Sequence, residues 1–208
     1  MVNRYTYTLI IFILFYSVAV ADSGMIINSF GNFGEGSTPE TKYVGWANTA
    51  GVPDSNPADS GALTADATFV NKWTATENGT VQQINMYIGS SWSPDNFYLC
   101  VYRGTTLIGF VDISGESIST NAWTGYFTVN VVGGQSLDFS TSDDMYFGFA
   151  LNEEGAETTR FGRTTTGEAS PTYYFDTSTA VSGTSPATTV TWGSSTRILG
   201  SIMKYVTR

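Results

Sequence analysis

Residues 80–103, TVQQINMYIGSSWSPDNFYLCVYR, decide the fold class of this chain. Apolar side chains recur at every second position in both halves of the stretch: Ile84, Met86 and Ile88, then Phe97, Leu99 and Val101. A period of two places successive side chains on opposite faces of a β-strand. The residues between the two runs include Gly, Pro and Asp, which favour turns. The stretch therefore predicts two strands joined as a hairpin, and further strands must cover its faces.

The rest of the chain has the same strand-like character. Short apolar or alternating runs are separated by turn residues, and no window after residue 21 carries a helical stripe. Asn78-Gly79 separates one such run, residues 67–75, from the opening stretch, and this dipeptide favours tight hairpin turns. We predict an all-β fold, an antiparallel two-sheet β-sandwich (jelly roll) of about ten strands, with residues 22–208 forming a single domain.

Residues 1–21 have the pattern of a secretory signal peptide. Arg4 precedes an apolar run from Leu9 to Val20, and Ala19-Val20-Ala21 supplies the small-x-small cleavage pattern. An uncleaved membrane anchor is the alternative, but the run is shorter than the roughly 20 residues that a spanning helix needs. We therefore predict cleavage before Asp22, secretion to the extracellular space and no membrane insertion afterwards.

The charge of the mature chain limits its partners. Cleavage would remove Arg4 and leave eight basic residues against 18 acidic ones, which is a net charge of −10. No Lys/Arg cluster offsets this excess of acid. A surface of this sign repels the phosphates of nucleic acids and of anionic lipids. The sequence therefore argues against nucleic acid as a partner.

Few catalytic chemistries are open to a chain without histidine. Ser-His-Asp and Cys-His catalysis are excluded, and zinc sites nearly so. A carboxylate pair, Asp143-Asp144 or Glu153-Glu154, is the remaining option, although acids at strand ends ordinarily only solvate a loop. The single cysteine, Cys100, lies in a strand-like run and is read as a buried thiol rather than a reactive one. We predict that the protein is not an enzyme.

One loop has the composition of a calcium site. Asp54, Asn56 and Asp59 lie close together in DSNPADSG, and calcium accepts carboxylate and carbonyl oxygens from irregular loops. The spacing does not match an EF-hand, and Asx turns explain the same residues without a metal. Structural calcium at these three residues is therefore a hypothesis that competes with simple turn chemistry.

Aromatic residues near the predicted loops are candidates for a sugar platform, because the C–H faces of a pyranose pack on aromatic rings. The candidate ligand-binding residues are Trp46, Trp92, Trp192 and Tyr173, and the stretch SSWSPDN places Trp92 at a predicted hairpin tip. Trp73 and Trp123 fall within strand-like runs and are assigned to the core. Burial is the competing explanation for each of these rings.

The middle and end of the chain resemble a loosely defined family of secreted jelly-roll domains of bacterial, archaeal and phage surface proteins. The matching pieces, in order, are FVNKWTATENGTVQQINMYIG, YLCVYRGTTLIGF, AWTGYFTV and YFGFAL, followed by a final strand ending near Tyr205. The resemblance implies a non-catalytic β-sandwich similar in style to carbohydrate-binding modules and adhesion domains. It carries over no functional residues, because the matched positions are core and turn positions.

Two functions follow as hypotheses. The first is recognition of an extracellular surface, with a polysaccharide or cell-surface glycan as the partner, in adhesion or accessory binding. The alternative is a structural subunit that self-assembles into a filament, sheath or surface layer. In that case the apolar segment MIINSF, residues 25–30, would add as a strand to the open edge of a neighbour. Pairing of the same segment within its own sandwich is the simpler explanation.

Overall fold

The computed structural model describes residues 38–47, 50–53, 57, 67–92, 96–152, 160–164, 172–176, 181–182, 184–195 and 198–208. The predicted signal peptide, residues 1–21, and the predicted calcium ligands Asp54, Asn56 and Asp59 lie outside these ranges. The described residues contain strands and turns and no helix, which confirms the all-β prediction. Accordingly, no helix with the length and apolar character of a membrane span occurs among them.

Seventeen strands are present in this part of the chain, and several are only two residues long. They are β1 Thr41–Gly45, β2 Ala67–Thr74, β3 Gly79–Ile88, β4 Asn96–Arg103, β5 Thr106–Asp112, β6 Ala122–Trp123, β7 Phe127–Thr128, β8 Asn130–Val131, β9 Asp138–Phe139, β10 Asp144–Asn152, β11 Arg163–Thr164, β12 Thr172–Asp176, β13 Val181–Ser182, β14 Ser185–Pro186, β15 Gly193–Ser195, β16 Ile198–Leu199 and β17 Ser201–Thr207.

Two antiparallel sheets account for most of these strands. The first sheet runs β1-β17-β3, and the short strands β6, β7 and β9 pair in turn with the other edge of β3. The second sheet runs β15-β12-β2-β10-β4-β5-β8. The pairs β11-β16 and β13-β14 form small additional ribbons. The arrangement is that of a β-sandwich-like all-β fold.

The main core lies between the two sheets. Ile84 and Met86 of β3 belong to the same buried cluster as Leu99 of β4 and Phe147 and Phe149 of β10. Burying apolar surface stabilises the fold by roughly 25 cal/mol for each Å² removed from water. The alternation predicted for β3 and β4 is confirmed. In the predicted apolar runs of both strands, every second residue belongs to this core cluster and the residues between them do not.

The predicted hairpin between these two strands is wrong. β3 pairs with β17 in the first sheet, whereas β4 pairs with β10 and β5 in the second. The backbone of Gly89, which follows β3, bonds to Arg160 and Asn121 instead of to β4. Sheets in a sandwich lie about 10 Å apart, a gap that the connection between β3 and β4 is long enough to cross. The chain therefore passes from one layer to the other at this point.

The prediction of a hairpin turn at Asn78-Gly79 is also wrong, because β2 and β3 belong to different sheets. Neither Asn78 nor Gly79 has a positive φ. The Asn78 side chain instead accepts a hydrogen bond from the backbone N–H of Thr141 at 2.9 Å. A Cβ on Gly79 would lie 2.6 Å from the Phe139 ring, so glycine is needed here for close packing and not for turn geometry.

A buried amide joins the two layers. Asn71 of β2 is fully buried on the core-facing side of the second sheet, between Phe69 and Trp73. Its Nδ2 donates to the carbonyl oxygen of Leu199 at 2.8 Å and to Oγ of Ser201 at 3.0 Å. Its Oδ1 accepts the Leu199 N–H at 2.9 Å. The side chain therefore satisfies the backbone of Leu199 where β16 leads into β17.

The outer face of the second sheet is covered by residues 185–192. Tyr102 donates its hydroxyl hydrogen to the carbonyl oxygen of Ala187 at 3.0 Å, and Val190 packs in the same cluster. Cys100 is fully buried beneath this cover, as the sequence predicts. Burial alone raises the pKa of the Cys100 thiol. A protonated, inaccessible thiol has no nucleophilic role.

Three carboxylates with lowered pKa values lie near the ends of the strands β2, β9 and β10. A hydrogen bond from Lys42 lowers the pKa of Glu77, and the hydroxyl of Tyr205 donates to the same carboxylate at 2.9 Å. The bond from Thr80 lowers the pKa of Asp138, and that from Lys72 lowers the pKa of Asp144. Each group is charged and paired at neutral pH.

Because these pKa values are lower in the folded state than in the unfolded state, the carboxylates stabilise the fold above their ordinary titration range. That stabilisation is lost as the pH falls through the folded-state values. We expect the melting temperature to be level from about pH 6 to 5 and to fall below about pH 4.5. Glu77→Gln should weaken this acid dependence, and a melting temperature that does not change between pH 5 and pH 3 would contradict the expectation. Glu116→Gln, at an exposed position, is the control.

Candidate functional site

The structure does not bring the predicted ligand-binding tryptophans together. Trp92 packs against the core between the sheets, Trp192 packs on the outer face of the second sheet, and Trp46 belongs to a cluster on the outer face of the first sheet. A single platform made of all three rings is therefore not formed.

The side chain of Trp92 makes a hydrogen bond and a ring contact within the fold. Its indole N–H donates to the carbonyl oxygen of Glu116 at 3.2 Å. Its ring meets the Phe97 ring edge to face, with centroids 4.9 Å apart. The residue follows β3 on the connection between the layers, so the hairpin-tip position predicted for it is wrong.

Trp192 packs on the outer face of the second sheet and also has a hydrogen-bond partner. Its indole N–H donates to the carbonyl oxygen of Gly104 at 2.9 Å. One face of its ring stacks on Tyr146, with centroids 4.9 Å apart, and Tyr102 meets it edge to face. Tyr173 pairs through its backbone with Asn71 and Ser195, and its side chain lies outside what the structure describes.

The outer face of the first sheet carries a second group of aromatic residues. We call Tyr43, Trp46, Trp123 and Tyr126 the outer aromatic cluster; they pack on Ile198 and Ile202. Ile202 points outward because its neighbour in β17, Met203, belongs to the core between the sheets. Gly45, at the end of β1, has a φ of 110°, which only glycine adopts easily, and Trp46 follows it directly.

The cluster has both covered and accessible rings. Trp46 is only 8% exposed, whereas Tyr43, Trp123 and Tyr126 are each partly exposed. The rings of Tyr43 and Tyr126 lie 5.8 Å apart, and Trp123 meets the ring of Tyr87 edge to face at 5.7 Å. The accessible rings are the only part of the cluster that a ligand in solution can touch directly.

Hydrogen bonds and packing contacts hold the segment after β1 against this face. The Tyr126 hydroxyl donates to the carbonyl oxygen of Gly51 at 2.7 Å, and burial raises the pKa of Tyr126 to about 12, so the donor keeps its proton at neutral pH. Pro53 forms a bridge with Ala47. Pro57 is buried next to Tyr87 and occupies the space where side chains at positions 162 and 200 would point.

Two buried polar atoms of the outer aromatic cluster have no hydrogen-bond partner. They are the indole nitrogen atoms Nε1 of Trp46 and of Trp123. Across the described side chains, these are the buried nitrogen and oxygen atoms without a partner. A buried donor without an acceptor costs about 1–3 kcal/mol, so proteins rarely leave one in place. Two such donors in one cluster mark this face as unusual.

The predicted carboxylate pair has structural partners. Asp144 forms an ion pair with Lys72 at 2.7 Å and accepts a hydrogen bond from Thr74. Asp143 accepts the backbone N–H of Ser140 at 2.8 Å within a turn. Glu153 and Glu154 lie outside the described residues. Within the described chain, no group of three or more acidic or cysteine side chains is placed to hold a metal ion.

Sequence reasoning missed most of this cluster. Trp123 was assigned to the core, but it lies in the two-residue strand β6 and packs on the outer face. So short a strand gives no alternation from which a face can be assigned. The density of aromatic residues in YVGWA and WTGYF was the available signal. A comparison with family models, curated proteins and solved structures finds no match to this chain.

Proposed function

We propose that this chain is a secreted, non-catalytic jelly-roll domain that binds an extracellular glycan through the outer aromatic cluster. The observation that carries the proposal is the association of accessible aromatic rings with unpartnered hydrogen-bond donors on one face. Sugars offer both C–H faces that pack on rings and oxygen atoms that accept hydrogen bonds. The resemblance to secreted jelly-roll domains of surface proteins is in keeping with this function.

Charge narrows the class of glycan. The mature chain is predicted to carry a net charge of −10, and the outer aromatic cluster itself contains no ionisable group other than its two tyrosines. Bringing a sulfated or uronic acid polymer to such a surface would be electrostatically unfavourable. A neutral polysaccharide is therefore the favoured ligand.

The proposal is tested by screening the full secreted protein on a glycan array and by measuring affinities with two matched variants. Tyr43→Ala removes a partly exposed ring from the outer aromatic cluster, and Phe110→Ala removes a partly exposed ring from the outer face of the second sheet. We expect Tyr43→Ala to weaken binding about tenfold, since an aromatic contact contributes about 1.4 kcal/mol. Phe110→Ala should leave the affinity within about twofold of the parent value.

Two results would contradict the proposal. One is that no neutral glycan binds at millimolar concentration. The other is that Phe110→Ala weakens binding as much as Tyr43→Ala does, which would move the site to the other face. Near-ultraviolet circular dichroism of each variant establishes that the fold is retained before the affinities are compared.

Self-assembly by strand addition is a second candidate, favoured by β1, which lies at the edge of the first sheet among the described strands. Backbone bonds of Glu40 to Thr207 and of Trp46 to Ser201 show that even-numbered residues face β17. The N–H and C=O groups of Thr41 and Tyr43 therefore point away from the sheet, where another copy could supply a strand. Polymers in size-exclusion chromatography of the secreted protein would favour this function, and a monomer would contradict it.

A further inference from the structure

We propose that the indole N–H groups of Trp46 and Trp123 are donors that bind oxygen atoms of a neutral sugar. This inference rests on the proposed function and names the atoms that would carry it. It differs from an ordinary stacking platform, because the specific contacts come from indole nitrogen atoms that are covered in the free protein.

Two other tryptophans of the molecule have acceptors for their indole N–H groups. The indole N–H groups of Trp92 and Trp192 each donate to a backbone carbonyl oxygen. Those two residues show that this fold supplies acceptors to its indoles in the usual way. Trp46 and Trp123 are buried at the nitrogen atom, and neither donor has an acceptor within the protein.

Two other polar groups of this face have partners within the protein. Oδ1 of Asn85 accepts a hydrogen bond from the Thr124 hydroxyl at 3.2 Å. The Tyr126 hydroxyl donates to Gly51. Neither group needs a ligand to complete its bonding, which leaves the two indoles as the unpaired donors of the cluster. A ligand that fits them must bring acceptor oxygens and an apolar surface, and a neutral pyranose brings both.

Entry of the ligand requires local rearrangement. Both nitrogen atoms are inaccessible in the free protein, although the side chains of Tyr43, Trp123 and Tyr126 are partly exposed. A sugar that first stacks on these accessible rings could reach the nitrogen atoms once a neighbouring side chain moves. We therefore expect this conformational step to slow association.

The test follows indole N–H signals by ¹⁵N–¹H correlation spectroscopy of the full secreted protein. Signals are assigned with Trp46→Phe, Trp92→Phe, Trp123→Phe and Trp192→Phe, each of which keeps an aromatic ring and deletes one N–H. The probes are cellohexaose, maltohexaose and chitohexaose. We expect the Trp46 and Trp123 signals to move downfield on binding while those of Trp92 and Trp192 stay in place. Trp123→Phe should weaken binding about tenfold, and Trp192→Phe should leave it unchanged.

The outcomes separate this inference from the proposed function. If a sugar binds but only the Trp92 or Trp192 signal moves, the donor assignment is overturned and glycan recognition stands. If a sugar binds and Trp123→Phe has the parent affinity, the assignment is likewise overturned. If none of the array glycans or hexaoses binds, the proposed function fails and the inference fails with it.

Discussion

Replacing Asn71 with Ala is expected to lower the free energy of unfolding by about 3–5 kcal/mol. The side chain makes three hydrogen bonds, two of which satisfy the N–H and C=O of Leu199. Deleting it leaves both backbone groups buried without a partner, at about 1–3 kcal/mol each. It also leaves a cavity between Phe69 and Trp73, on the core-facing side of β2.

Urea unfolding of the variant, followed by tryptophan fluorescence, measures this loss. Asn130→Ala is the matched control, because Asn130 is exposed in the edge strand β8 and should change stability by no more than about 0.5 kcal/mol. A loss below about 1 kcal/mol for Asn71→Ala would mean that other groups satisfy Leu199 and that the amide does not join the layers.

Gly148→Ala should be nearly as damaging, with an expected loss of about 3 kcal/mol or more. Gly148 lies in β10, between β2 and β4, at the centre of the second sheet. A Cβ at this position would collide with the carbonyl oxygen of Phe69, and it would lie 2.9 Å from both the Val70 Cα and a Leu199 methyl carbon. Backbone atoms of a central strand cannot withdraw without breaking ladder hydrogen bonds, so the strain is retained in the folded state.

Thermal and urea unfolding measure this effect, with Gly133→Ala as the control. A Cβ on Gly133 meets no atom within 4 Å. Its φ is not positive, so alanine fits there, and stability should stay the same or rise by up to about 1 kcal/mol. Equal stabilities for the two alanine variants would show that the second sheet can widen at β10, contrary to the packing described above.

The faces of the strands were predictable, but their partners were not. Alternation in β3 and β4 follows from which side chains are apolar, and it correctly identified Ile84 and Leu99 as core residues. Pairing depends on the opposite strand, which β17 supplies from the far end of the sequence. A turn signal such as Asn78-Gly79 marks a change of chain direction. It does not show whether the next strand pairs in the same sheet, as in a hairpin, or crosses to the other sheet.

The candidate site was also predictable from the sequence only in part. Trp46 was predicted as a ligand residue from its position beside a loop, and it does belong to the outer aromatic cluster. Nothing in the sequence indicates that its indole nitrogen is buried without an acceptor, since that depends on what surrounds it in three dimensions. The role of Asn71 was likewise not predictable, because a single polar residue in an apolar run does not indicate which backbone groups it will bond.

The position of β17 bears on how the protein is made. This strand is more than 100 residues further along the sequence than β3, yet it lies between β1 and β3 in the first sheet. The first sheet therefore cannot close until β17 has been synthesised, and β1 has no neighbour in this sheet until then. The first sheet cannot form by successive addition of local hairpins, so its closure depends on long-range encounters, which favour slow folding and expose unpaired edges to aggregation.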